Sequence, residues 1–345
     1  MPTYRAKAPL RLGLAGGGTD LSTYSAAFGG AIMNATINLY AYASITPTDD
    51  GRIVIESIDQ GIEAEFPSAM HLEPAGKMTL IQAVYNRVVK DLVGQPLSFR
   101  IATWVDAPPG SGLGSSSTLV VAILGSFVEW LKLPLGEYDI AQLAWRIERV
   151  DLAQDGGKQD QYAAVFGGFN FMEFKDDVNV IVNPLRIKSE YVSELEFNIL
   201  LYYTLISRYS SDIIKDQEEN VSGVQNSHLQ AMHELKRQAY ALKETLLKGE
   251  LNKIGPMLNL GWEAKKATTS KVSNSQLDAI YETALQNGST GGKLSGAGGG
   301  GFFMFYCPGN TRYKVIQALH TKFGGEFRRF QFTMAGLASW ESRTP

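Results

Sequence analysis

Glycine constrains this chain more than any other residue, because it comes in clusters. The sequence holds 35 glycines in 345 residues. They concentrate at Gly16-Gly17-Gly18, at Gly110-Ser111-Gly112-Leu113-Gly114, at Gly156-Gly157 with Gly167-Gly168, and at Gly296-Ala297-Gly298-Gly299-Gly300-Gly301. Fixing a glycine costs more backbone entropy than fixing any other residue, so dense clusters mark places where a backbone turns sharply or approaches a ligand closely.

Between the clusters the apolar pattern defines the elements. Residues 4–14, 31–46 and 52–57 are rich in β-formers, and 78–93 carries Ile81, Val84, Val88 and Val89 at helical spacing. A strand over 97–105 runs into the second glycine cluster. Ser115-Ser116-Ser117 then reads as the hydroxyl-capped start of a helix ending near 131. A helix over 135–150, a loop over 151–168 and a strand over 169–174 follow. The stretch 176–196 is polar, contains Pro184 and has no clear period, which puts a domain boundary there and gives domains 1–185 and 186–345. The second half reads as a buried strand over 197–206, broken helices over 211–248, and helices over 251–267 and 275–287. A strand at 302–306, a helix over 311–323 and a last strand over 326–332 complete it. The fold class is α+β, with two sheets and helices to cover them.

Charge and composition exclude several functions. Lys+Arg 32 against Asp+Glu 35 leaves a net charge of −3, so no global basic field gathers nucleic acid or anionic lipid. The longest apolar runs, 119–128 and 199–206, are shorter than a membrane span, and residues 1–11 hold no apolar leader core. Cys307 is the single cysteine and is expected to pack as a small hydrophobe in a reducing compartment. His71, His228, His233 and His320 include no helical zinc pair. These readings describe a cytoplasmic protein.

A helix N-terminus gathers unpaired N–H donors and about half a positive charge, which makes a phosphate seat. Residues 110–117 have that form, and their serines add oxygen ligands for magnesium. A tight strand-to-helix turn with serine caps explains the same residues equally well. The P-loop requires Gly-Lys-Ser/Thr, absent after Gly114, and the glycine spacing fails the dinucleotide fingerprint, which disfavours a nicotinamide oxidoreductase.

Three motifs resolve the choice by resemblance. Pro109-Gly110-Ser111-Gly112-Leu113-Gly114-Ser115-Ser116-Ser117 resembles the central nucleotide-binding motif of the GHMP kinases, the superfamily of galactokinase, homoserine kinase, mevalonate kinase and phosphomevalonate kinase. Residues 8–20, Ala-Pro-Leu-Arg-Leu-Gly-Leu-Ala-Gly-Gly-Gly-Thr-Asp, resemble the first motif of that family, and residues 293–301, Lys-Leu-Ser-Gly-Ala-Gly-Gly-Gly-Gly, its third. The resemblance implies an N-terminal domain like domain 2 of ribosomal protein S5, a ferredoxin-like C-terminal domain, and a site between them for ATP and Mg2+.

By position, the resemblance makes Asp160 the base for the accepting hydroxyl and Arg11 its basic neighbour. It makes Glu148 and Ser116 the metal ligands. Nucleotide binding falls to Pro109 through Ser116 and to Gly296, Ala297, Gly298 and Gly299. Substrate contacts fall to Gly17, Gly18, Thr19 and Asp20. Galactokinases resemble Gly-Glu-His-Thr-Asp where this chain has Gly16-Gly17-Gly18-Thr19-Asp20, which disfavours galactose, and Asp160 argues against the homoserine branch.

The wider sequence looks most like the bacterial branch acting on D-glycero-D-manno-heptose 7-phosphate at its anomeric hydroxyl, feeding capsule or lipopolysaccharide synthesis, with fucokinase-type domains as relatives. A phosphorylated sugar needs a cationic seat, for which Arg208 and Lys266 are the candidates. A kinase for an unphosphorylated sugar such as fucose or mannose, and a non-catalytic sensor on the same fold, are the alternatives. Partners are then ATP and a small sugar phosphate, with no nucleic acid and no membrane, and with room for a homodimer.

Overall fold

The longest run of β-formers becomes an 18-residue strand, and the whole first sheet is organised around it. The computed structural model describes residues 2–176, 179–206, 210–222 and 226–343. Its first half consists of β1 (Thr3–Ala15), α1 (Ser22–Phe28), β2 (Gly30–Pro47), β3 (Arg52–Ser57), β4 (Ile62–Pro67), α2 (Thr79–Val88), β5 (Phe99–Val105), α3 (Ser115–Leu131), α4 (Glu137–Arg146), α5 (Gln159–Phe166), β6 (Phe169–Phe174) and β7 (Val180–Pro184). The rest is α6 (Ser189–Asn198), β8 (Ile199–Tyr203), α7 (Ser210–Ser222), α8 (Asn226–Leu247), α9 (Ile254–Lys266), α10 (Ser275–Gln286), β9 (Gly291–Leu294), β10 (Phe302–Tyr306), α11 (Arg312–Phe323), β11 (Glu326–Arg328) and β12 (Ala338–Ser342).

The first sheet has the order β12-β1-β2-β5-β3-β4, with β6 also pairing β2 and β7 beyond it; the second has the order β11-β8-β10-β9. Sheet membership thus separates β1–β7 from β8–β11, and β12 returns to the first sheet beside β1. This last strand is absent from the sequence-based reading, which ends at residue 332. Its Ala-Ser-Trp-Glu-Ser sequence carries too little apolar alternation to announce itself.

One core, including Ile45, Ile55, Val84, Phe99, Val121 and Phe127, lies between the first sheet and the helices on it. A second core joins Leu10, Leu12 and Met33 of the first sheet to Leu201 and Met304 of the second and to Leu258 of α9. The two halves are therefore fused by buried apolar surface, which fixes the cleft between them. Cys307 is buried in a third core with Trp262 and Phe303, where burial pushes its thiol up to about 12. That is the inert packing the sequence implies.

Two local corrections matter for the site. The segment read as a loop over 151–168 contains helix α5. The helix after the second glycine cluster starts on Gly114, whose φ of 77° needs no Cβ, and no serine side chain caps it. Among the described residues the N–H groups of Ser115, Ser116 and Ser117 have no cap.

Candidate active site

Pro9 lacks an N–H, so the β1–β2 ladder slips there, and the register shifts between Pro9 and Arg11. The Arg11 backbone N–H leaves the ladder and donates instead to the Leu113 carbonyl at 3.2 Å. Its side chain is buried and ties together all three glycine-rich motifs. Nε donates to Asp160 Oδ1 at 2.7 Å, while Nη1 donates to the Gly112 carbonyl at 2.6 Å and to Ser295 Oγ at 3.3 Å. Arg11 and Asp160, 149 positions apart in the chain, thus form one ion pair on the cleft wall.

The second and third glycine motifs touch backbone to backbone. A Cβ on Gly112 would lie 2.3 Å from the Ser295 carbonyl oxygen, and one on Gly296 would lie 2.7 Å from Gly112 Cα. The Phe302 N–H donates to the Ser111 carbonyl, and the Gly299 N–H donates to the Val272 carbonyl at 2.7 Å, pinning the loop tips. The loops converge with the N-terminus of α3 on a cleft of about 530 Å³. Its walls include Arg11, Gly18, Asp20, Gly110, Gly112, Gly114, Ser115, Ser116, Glu148, Asp160, Gly296, Ala297 and Gly298. Pro109, Ser111 and Gly299 are not on the wall, Ser111 being fully buried, and Leu113 is buried as core.

Asp160 sits in the first turn of α5, and what starts that turn is Asp20. Asp20 Oδ2 accepts the N–H groups of Lys158 at 2.8 Å and Gln159 at 3.0 Å, serving as a cap supplied from a distant segment. Burial pushes its carboxyl up, opposed by those N–H donors. Gly157 is required beside it, since a Cβ there would lie 1.9 Å from Asp20 Oδ2. Asp20 therefore positions Asp160 as well as facing the cleft.

Thr19 departs from its expected contact with substrate: it is buried, and its hydroxyl donates to the Gly16 and Ala31 carbonyls, holding the turn. Lys266 departs too. Its amine pairs with Glu263 at 2.9 Å and lies over the Trp262 ring, off the cleft, whereas Lys265 lines it. The signal for Lys265 was present, because α9 buries Ile254, Leu258, Gly261, Trp262 and Lys265 at helical spacing, so a cation occupies a core register. Arg208 lies outside the described residues. Gln217 of α7 also lines the cleft and carried no sequence signal.

Ser116 Oγ donates to Glu148 Oε1 at 3.2 Å, and Gln161 Nε2 donates to Glu148 Oε2 at 2.5 Å, which orients the carboxylate. Among the described residues no three His, Cys, Asp or Glu side chains gather around a point. Paired oxygens of this kind suit a hard cation that draws its other ligands from phosphate and water, as Mg2+ does.

Glycine loops, a helix N-terminus and an arginine-held aspartate on one cleft define a phosphoryl-transfer site, and the family assignment agrees. The family profile described as "GHMP kinases N terminal domain" matches residues 79–168, and that described as "GHMP kinases C terminal" matches residues 241–325. The chain belongs to the GHMP kinases. Among individual proteins it is 47% identical to the D-glycero-alpha-D-manno-heptose 7-phosphate kinase of Campylobacter jejuni, over 99% of both chains. A crystal structure described as a D-glycero-D-manno-heptose 1-phosphate kinase from Bacteroides thetaiotaomicron superposes with a TM-score of 0.85 at 44% identity, covering 99% of this chain and 100% of that one. Lactococcus lactis galactokinase complexed with galactose shares the fold, with a TM-score of 0.78 at 18% identity over 97% of this chain and 95% of its own. Among the described residues no helix is long and apolar enough to cross a membrane.

Proposed function

We propose that this chain transfers the γ-phosphoryl group of ATP to the anomeric hydroxyl of D-glycero-D-manno-heptose 7-phosphate, giving the 1,7-bisphosphate. The observation that carries the reading is the Arg11–Asp160 pair at 2.7 Å on the cleft, where the same guanidinium holds the Gly112 carbonyl of the glycine loop. Likeness to two heptose phosphate kinases over nearly the whole chain supports the sugar.

The acceptor oxygen attacks the γ-phosphorus, the bond to the β–γ bridging oxygen breaks, and ADP leaves with the electron pair. Asp160 takes the hydroxyl proton as the new bond forms. Arg11 holds the Asp160 carboxylate in place. The glycine loops and the α3 N–H groups align the triphosphate, and alignment with charge neutralisation supplies most of the acceleration in this chemistry. Ser116 and Glu148 would hold Mg2+, which supplies neutralisation of phosphate charge when bound. Arg208, in the segment after β8, is the proposed seat for the phosphate already on the sugar. The setting of the reaction is the cytoplasm.

The names of the two relatives differ in which phosphate the sugar already carries, so the test offers both. ADP release is measured with heptose 7-phosphate, heptose 1-phosphate, fucose, mannose and galactose, and phosphorus NMR reads the product. Turnover with the 7-phosphate and a new anomeric phosphate signal are expected. Turnover confined to the 1-phosphate, or to an unphosphorylated sugar, overturns the reading.

A further inference from the structure

Beneath the third glycine motif lies a group of three basic side chains, of which the reaction as described uses only Arg11. Arg11 comes from β1, Lys265 from the last turn of α9, and Lys293 from β9. All three are nearly inaccessible to solvent, at 3%, 3% and 4% exposure, and among the described residues only Arg11 of the three has an ion-pair partner. The Lys265 amine donates to the Gly296 carbonyl and faces the cleft beside Gly17. Lys293 pairs across the ladder with Met304, which sets its side chain on the same sheet face as the core joining the two halves. Among the described residues its amine makes no hydrogen bond or ion pair.

Buried charges are normally paired, and leaving one unpaired costs far more than a pair returns. Asp160 is engaged by Arg11, and Asp20 by the N–H groups of Lys158 and Gln159. Two lysines are left with a single carbonyl oxygen between them. Burial, then the charge of Arg11, pulls the Lys265 amine down to about 8 against the weaker opposing pull of Asp20 and Asp160; burial, then Lys265 and Arg11, pulls Lys293 down to about 7. Both shifts run in the direction of cations short of negative charge. An anion held at the glycine loop, whose Gly296 carbonyl Lys265 already touches, would supply that charge.

We propose that Lys265 binds the γ-phosphoryl group of ATP as it is transferred, with Lys293 behind it as a positioning residue that keeps the Lys265 amine turned toward the cleft. This deepens the kinase reading and rests on it. The γ-group then meets the glycine loop on one side and a cation from α9 on the other, so ATP is distinguished from ADP by a side chain of the second half of the molecule.

The experiment compares calorimetric binding of ADP and of the non-hydrolysable imido analogue of ATP, each with Mg2+, to the full chain and to Lys265→Met, Lys265→Gln, Lys265→Arg and Lys293→Met. Loss of a charge-assisted contact to the γ-group weakens the analogue about tenfold or more in Lys265→Met, leaves ADP within about twofold, and lowers kcat with the sugar KM little changed. Lys265→Arg recovers part of the loss. Lys293→Met shows the same pattern at smaller size. If Lys265→Met does not fold, Lys265→Gln carries the same comparison.

Parallel weakening of ADP and the analogue, or a rise confined to the sugar KM, overturns the assignment, the first indicating a structural lysine and the second a seat for the sugar's own phosphate. A wild-type chain that binds neither nucleotide overturns the kinase reading itself. Binding of both nucleotides without discrimination by Lys265 overturns the inference alone.

Discussion

The two walls of the cleft are built on different principles. The nucleotide wall is backbone: glycines 112, 114, 296 and 298 hold positive φ values, and loops from distant segments touch without side chains between them. The acceptor wall is side chains, with Arg11, Asp20 and Asp160 delivered from β1, the turn after it and α5, while Lys265 of α9 reaches across to the Gly296 carbonyl of the backbone wall. A backbone wall is insensitive to side-chain identity except where a Cβ would intrude, whereas a side-chain wall depends on each rotamer being locked by neighbours.

That contrast can be broken most forcefully at Asp160. Asp160→Asn keeps the shape but loses the proton acceptor, and turnover is expected to fall by about 10² to 10⁴ with ATP affinity unchanged. Lost ATP affinity would mean that the two walls are not separable.

A sharper comparison applies one substitution to each wall. Gly112→Ala drives a Cβ to 2.3 Å from the Ser295 carbonyl oxygen at a φ of +78°, and is expected to cost about 1–3 kcal/mol of stability and to weaken ATP binding. Gly157→Ala drives a Cβ to 1.9 Å from Asp20 Oδ2. It displaces the cap of α5, so the expected loss lies in kcat, with ATP binding retained. Calorimetry and steady-state kinetics on the two variants read the split; identical profiles would erase it.

A smaller effect comes from pH. Unfolded lysine holds its proton to about 10.5, whereas Lys265 and Lys293 release theirs near 8 and 7 in the folded chain. The unfolded state therefore binds more protons across the interval from about 7 to 10.5, and stability contributed by these two amines rises with pH there and is lost as pH falls through 8 and 7. Between pH 7 and 9 the wild-type melting temperature should gain roughly 2–4 °C on the Lys265→Met, Lys293→Met double variant. Parallel curves would show that the amines titrate normally.

The smallest effect is at Lys266, whose ion pair with Glu263 is partly exposed. Lys266→Met is expected to change stability by less than about 1 kcal/mol and to leave the sugar KM unchanged. A large KM increase would return this residue to the acceptor wall.

The same contrast explains what was legible beforehand. The backbone wall writes itself as contiguous glycine runs, so residues 110–116 and 296–298 stood out from their own neighbourhood, but tight turns explained them as well until the resemblance assigned them to the nucleotide. The side-chain wall was legible only where resemblance named a position. Helix α5 was missed because its N-terminal cap, Asp20, lies 138 residues away from the Lys158 N–H it receives. Thr19 was assigned to substrate because its buried bonds to Gly16 and Ala31 leave no local trace. Lys266 was named and Lys265 was not, because the two differ only in helical phase. Strand β4, in contrast, carried the period-2 signal of Ile62, Ala64 and Phe66 between two glutamates and was simply not read.

The pairing of β12 with β1 also sets a timetable. The strand that covers the outer edge of Thr3–Lys7 is synthesised about 335 residues after them. At about 5–20 residues per second, that edge waits roughly 15–65 s for its partner. Throughout this interval the outer edge of Thr3–Lys7 presents unpaired N–H and C=O groups, the kind of edge on which mispairing with another chain begins.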